Sequence, residues 1–91
     1  MTTPNTIDFT KVEALRKRLG LTTEDMAAAF LVSRMTYYLW VRGRSMRAAQ
    51  AFRARKVIRV LLDLMKDKLW DEEIRPLDPP QRRARLLALL G

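Results

Sequence analysis

Residues 21–44 read LTTEDMAAAFLVSRMTYYLWVRGR, and two helix starts and two helix stops are packed into them. Thr22 has the side chain of an N-cap, with Asp25 three places on to complete a capping box. The helix it opens reaches Phe30, and Leu31 and Val32 leave only a tight link. Ser33 caps the next helix, which runs to Arg42 and stops at Gly43. Two short helices this close must cross closely, and Ala27 is the small residue that permits it. Met26, Phe30, Val32, Tyr37 and Trp40 fall at core positions, since Tyr37 shares a helical face with Trp40 and Val41.

Upstream, Thr10 with Glu13 forms a second capping-box pattern. It opens a helix to Leu19 with Val12, Leu15 and Leu19 on one face, ended by Gly20. Residues 1–8 are polar, carry Pro4 and read as a loose arm. Downstream, Ser45 is a cap, and Met46 to Trp70 contains neither Pro nor Gly. One helix of about 25 residues, ~37 Å long, is the simplest expectation. A linker spans Pro76 to Pro80, and a short helix from about Pro80 to Leu90 closes the chain. No strand pattern or internal repeat occurs. The expected fold is all-α: one helical domain over 9–91, with a headpiece at 9–44 and a supporting or dimerising region at 45–91.

Charge is distributed unevenly. The formal net charge is +8. From Met26 to Leu62 there is no acidic residue but eight basic ones: Arg34, Arg42, Arg44, Arg47, Arg53, Arg55, Lys56 and Arg59. Both flanking segments balance, so the whole surplus lies in the second half of the quoted stretch and the helix after it. Such a stripe on a small domain is the footprint of a phosphate backbone. A solvated basic face kept for solubility is the plainer alternative.

Composition narrows the classes further. Ninety-one residues make one domain with a modest core. There is no Cys and no His, which removes disulfides, thiolate metal sites and the usual general base. No Gly-rich phosphate loop or Ser-based nucleophile turn is present. Neither catalysis nor a metal or other cofactor is expected. No apolar run approaches the ~18 residues of a membrane span, and residues 1–10 lack the basic start and apolar core of a signal peptide. A soluble, cytoplasmic protein is the expectation.

Read physically, the second helix of the pair presents its outer, N-terminal part to a partner. With Tyr37 and Trp40 turned inward, Arg34, Met35, Tyr38 and Leu39 face out. Arg34 is the strongest base reader, because a guanidinium can grip guanine O6 and N7 with two hydrogen bonds. Met35 and Leu39 offer apolar contact, for example to a thymine methyl. Tyr38 can bond a phosphate or a base. The competing reading puts Met35 and Leu39 in the core or a protein interface.

Residues 12–44 resemble the Cro and lambda-repressor (Xre) class of helix-turn-helix proteins. The family pattern appears as Leu15-Arg16, Leu19-Gly20-Leu21, Thr22, Glu24, Ala27, Val32-Ser33-Arg34, Thr36, Trp40 and Gly43. Three positions depart from it: Thr23 stands where Gln is common, Leu31 where Gly is, and Val41 where Glu is. The resemblance stops after Gly43, since the family's usual Pro-marked loop is replaced by SMRAAQAFRARKVIRVLLDLM. It implies double-stranded DNA as partner, with the second helix in the major groove. It implies Ser33, Arg34, Met35, Tyr38 and Leu39 as groove-facing, and Thr23, Arg42 and Arg44 as phosphate contacts. Arg47, the next cation along, is placed with them.

Past Gly43 the apolar face is wide. Ala54, Ile58, Leu61 and Met65 follow heptad-like spacing, flanked by Val57, Val60 and Leu64. Either the terminal helix folds back with Leu86, Leu87 and Leu90, or a second subunit covers it. A homodimer using Ile58, Leu61, Met65, Leu86, Leu87 and Leu90 is the favoured expectation. The function expected is a small phage- or plasmid-type transcriptional repressor on a palindromic operator. The alternative is a protein-interaction module, an antitoxin or inhibitor, with DNA binding secondary. RNA binding has only Tyr38 as an obvious stacking residue. A membrane-surface role would need an apolar face that the core requires.

Overall fold

Asp8 opens the first helix: its carboxylate accepts a 3.0 Å hydrogen bond from the Thr10 backbone N–H. The structure is a computed structural model and describes residues 7–91. Helix α1 spans Phe9–Leu19, α2 Thr23–Phe30, α3 Arg34–Val41, α4 Ala48–Leu64 and α5 Pro79–Leu90; a π-helical turn covers Trp70–Ile74 between α4 and α5. The fold is all-α, with no strand among the described residues. None of its helices is long and apolar enough to cross a membrane.

The expected arm, residues 1–8, lies outside the described residues up to position 6. Its last two residues belong to the fold, since Ile7 packs on the core and Asp8 caps α1. The capping box expected at Thr10 and Glu13 does not form. Asp8 takes the cap two residues earlier, and Glu13 turns inward to Arg16 and Tyr37. That shift brings Phe9 into the helix and the core, where it meets Phe30, Tyr37 and Trp40 at ring-centroid distances of 6.1, 6.0 and 5.8 Å. Such aromatic pairs add stability beyond their buried area. At the other end of α1, Arg16, Lys17 and Arg18 complement the helix dipole. Gly20 closes the helix at φ 72° beneath Arg75, whose Nε would lie 2.7 Å from any added Cβ.

The α2–α3 unit follows its local signals. Thr22 Oγ1 accepts from the Asp25 N–H at 3.1 Å, and Asp25 Oδ2 accepts from the Thr22 N–H at 2.9 Å. Leu31 ends α2 in the left-handed region, φ 61° and ψ 42°. It is the non-glycine residue with positive φ among those described. Ser33 Oγ then accepts from the Thr36 N–H at 3.1 Å to start α3. Ala27 is buried, as a close crossing requires.

The expected 25-residue helix is broken. Ser45 caps nothing; α4 starts after Arg47, whose N–H donates to the Gln50 side chain at 3.0 Å. It stops at Leu64, and the chain turns over Met65–Asp67. The cause lies far away in sequence. Trp70 is fully buried, and its indole Nε1 donates to the Leu19 carbonyl at 3.1 Å. A straight helix would carry Trp70 about 9 Å beyond Leu64 along its axis. Asp67 supports the new start by accepting from the Leu69 N–H at 2.9 Å.

Helix α5 folds back against α2 and α4. Leu61, Leu86 and Leu90 are thereby 0%, 0% and 1% exposed within one chain. This corrects the interface expected at those three residues, since a side chain with no free surface cannot offer any to a partner. Ile58, Met65 and Leu87 remain half-buried at the edge of the same core.

Candidate nucleic-acid interface

Helix α3 has two unlike faces. Tyr37 and Trp40 are buried. Arg34, Met35 and Tyr38 are exposed, Met35 by 65% and Tyr38 by 52%. Large apolar groups this open are informative when they lie together. They do: a groove of about 720 Å³ is lined by Glu13, Thr23, Arg34, Met35, Tyr37, Tyr38 and Val41. Four predicted contact residues, Thr23, Arg34, Met35 and Tyr38, therefore share one concave surface. Ser33 and Leu39 are not part of its lining. Ser33 is exposed with its hydroxyl engaged at the α3 cap, where it also donates to Thr36 Oγ1 at 3.1 Å. Leu39 is half-buried.

The cations flank this surface. Arg42, Arg44 and Arg47 are all exposed on the segment leaving α3. Among the described residues, no carboxylate lies within salt-bridge distance of these three. Arg42 leans on Tyr38: its Nη1 donates to the phenol oxygen at 2.9 Å and its guanidinium carbon sits 5.6 Å from the ring centre. Arg53 has a structural task, donating from Nε to the Ala29 carbonyl at 3.0 Å near the C-terminus of α2. Arg55, Lys56 and Arg59 are exposed along α4.

The inner side of α3 is held by a polar network that sequence reasoning missed. The Tyr37 hydroxyl donates to Glu13 Oε2 at 2.6 Å. Arg16 donates to both oxygens of the same carboxylate, at 2.9 and 3.0 Å, and reaches the Leu21 carbonyl at 3.1 Å. Burial pushes the Glu13 carboxyl up, but the Arg16 and Tyr37 hydrogen bonds outweigh it, and the group titrates below the usual glutamate range. Burial and the same carboxylate push the Tyr37 phenol well above its ordinary value, so it stays a neutral donor.

A second network ties α2 to α5. Asp25 is fully buried and accepts from Arg82 Nη2 at 3.0 Å, Arg82 Nε at 3.3 Å and Arg83 Nε at 2.9 Å. Desolvation opposes its charge. The Thr22 N–H and the two guanidiniums overcome that and hold its carboxyl below the usual range. Arg82 and Arg83 counted only as part of a balanced tail in sequence. The adjacent Arg-Arg pair carried no signal of its partner.

No family model, curated protein or solved structure matches the chain. On one short helix the site offers a hydrogen-bonding cation in Arg34, an exposed apolar side chain in Met35 and an exposed phenol in Tyr38, bordered by the exposed cations Arg42, Arg44 and Arg47.

Proposed function

We propose that the chain is a sequence-specific double-stranded DNA-binding transcriptional regulator, a small cytoplasmic repressor that lays α3 in the major groove. The division of α3 carries this reading. Tyr37 and Trp40 lock one face into the core, while Arg34, Met35 and Tyr38 stand out on the other beside Arg42, Arg44 and Arg47. That arrangement suits base edges in front and phosphates at the sides. The +8 charge, whose surplus falls within residues 26–62 of the sequence and so includes α3 and the segment after it, supports it.

A homodimer on an inverted-repeat site belongs to the proposal, because one short helix reads too few base pairs to select a site. With Leu61, Leu86 and Leu90 used in the core, the apolar surface left for pairing includes Ile58, Met65 and Leu87, together with exposed Phe52, Leu62 and Leu89. Those same exposed side chains favour the second reading, a module that docks another protein.

The deciding experiment is duplex binding across a salt titration. If a dimer neutralises ~6–10 phosphates, log affinity should fall against log salt with a slope of roughly −5 to −9. A slope near zero rules out the DNA reading and leaves the protein-docking one.

A further inference from the structure

Arg34 does not stand free at the front of the groove. Its Nη1 donates to Glu24 Oε1 at 3.1 Å. Glu24 is the second residue of α2 and half exposed. Its other oxygen accepts from Arg83 Nη2 at 3.4 Å. Arg83 in turn donates from Nε to Asp25, which is buried and holds Arg82 as well. An alternating series of charges thus runs from a buried carboxylate through Arg83 and Glu24 to Arg34.

The series bears on what Arg34 can read. A long exposed side chain ordinarily samples many rotamers and loses them on binding. Here the acceptor is itself held from behind, and its negative charge sits in the first turn of α2, where the helix dipole favours it. The bond to Glu24 uses Nη1, on the Cδ side of the guanidinium. The opposite edge, Nε with Nη2, is left free, and that edge can donate two parallel hydrogen bonds to guanine O6 and N7.

We propose that Glu24 is a positioning residue that aims the Nε–Nη2 edge of Arg34 at a guanine, and so sets base preference at one position of the bound duplex. This rests on the DNA-binding reading above. It gives an acid a purpose on a surface otherwise built for phosphates. Glu24 also repels nearby phosphates, so it lowers affinity for DNA in general while raising discrimination. A latch that merely blocks Arg34 would do the reverse, and its removal would sharpen selection.

The test selects binders from a pool of randomised duplex DNA with the full chain, E24A, E24Q, R34A and the E24A/R34A double variant. The pair is exposed, so thermal unfolding should be little changed in all of them. The wild type should enrich a motif containing a guanine whose preference R34A abolishes. In E24A that one preference should fall about two- to tenfold, the equivalent of one side chain's ordering cost, while the other positions hold and affinity for unselected DNA rises. E24Q keeps an acceptor oxygen and should fall between. With Arg34 already replaced, E24A should change nothing at that position. The proposal is overturned if E24A leaves the guanine preference unchanged or sharper, or acts equally without Arg34. A motif insensitive to R34A also overturns it and leaves DNA binding standing. A wild type that enriches no motif removes the DNA reading and this inference together.

Discussion

The Tyr37 hydroxyl donates to Glu13 at 2.6 Å, so the buried face of α3 is pinned to α1 by a charged acceptor as well as by packing. Glu13 keeps its Arg16 partner if the hydroxyl is removed. We expect Tyr37→Phe to cost about 1.5–3 kcal/mol, the range for a hydrogen bond to a charged group. Urea unfolding followed by circular dichroism measures it. Because Glu13 titrates below its ordinary value of 4.5 in the folded state, it contributes stability above that pH and loses it as pH falls. The variant should show a shallower loss on acidification. An unchanged urea midpoint would mean the bond contributes nothing net.

Asp25→Asn is predicted to be strongly destabilising. It leaves Arg82, itself buried, facing a neutral amide. Breaking a buried pair from one side costs about 3–5 kcal/mol. The folded pKa of Asp25 lies below its ordinary 3.8, so its contribution is present above that pH and lost as pH drops through the folded value. Wild type and variant should therefore converge in stability in strong acid. Divergence there would contradict the assignment.

Leu31→Gly should stabilise the protein. Leu31 holds φ 61° with its side chain 70% exposed. A non-glycine residue pays about 1–2 kcal/mol in that region. Glycine's looser unfolded chain returns roughly 0.5–1 of this. A net gain of about 0.5–1 kcal/mol is expected in the urea midpoint. A loss would show that the leucine side chain packs on something in solution.

Reading and positioning on DNA should separate. Arg34→Ala should relax preference at one base pair and cost about 1–3 kcal/mol on the preferred duplex. Arg42→Ala and Arg44→Ala should weaken all duplexes about equally and flatten the salt dependence. Equal behaviour of the three variants on matched and random duplexes would remove Arg34 from the groove.

The starts of α2 and α3 were legible because capping is local chemistry: Thr22 with Asp25, and Ser33 with Thr36, lie three residues apart. Helical periodicity likewise separates Arg34, Met35 and Tyr38 from Tyr37 and Trp40, but it also turns Leu39 outward, and Leu39 is half-buried. The end of α4 was not legible. It is set by Trp70 reaching Leu19, 51 residues back, with no Pro or Gly to mark the break. For Leu61 the sequence allows either a folded-back terminal helix or a second subunit as cover, because apolar spacing defines a face but not what lies on it. Asp25 with Arg82 spans 57 residues: the local pattern gives Asp25 its capping role beside Thr22, but nothing near either residue marks the ion pair.

Trp40 and Trp70 are the only tryptophans, one from each half of the sequence, and both are buried. The first sits among the aromatic rings behind α3, and the second donates to the end of α1. The molecule therefore carries two optical gauges of its own. Replacing either indole with phenylalanine leaves the other as a lone fluorophore, reporting on its own half. The α5 guanidiniums bind α2 directly, so the two emission signals should change together. A single transition is then expected, in which the helices around Trp40 and those around Trp70 unfold together.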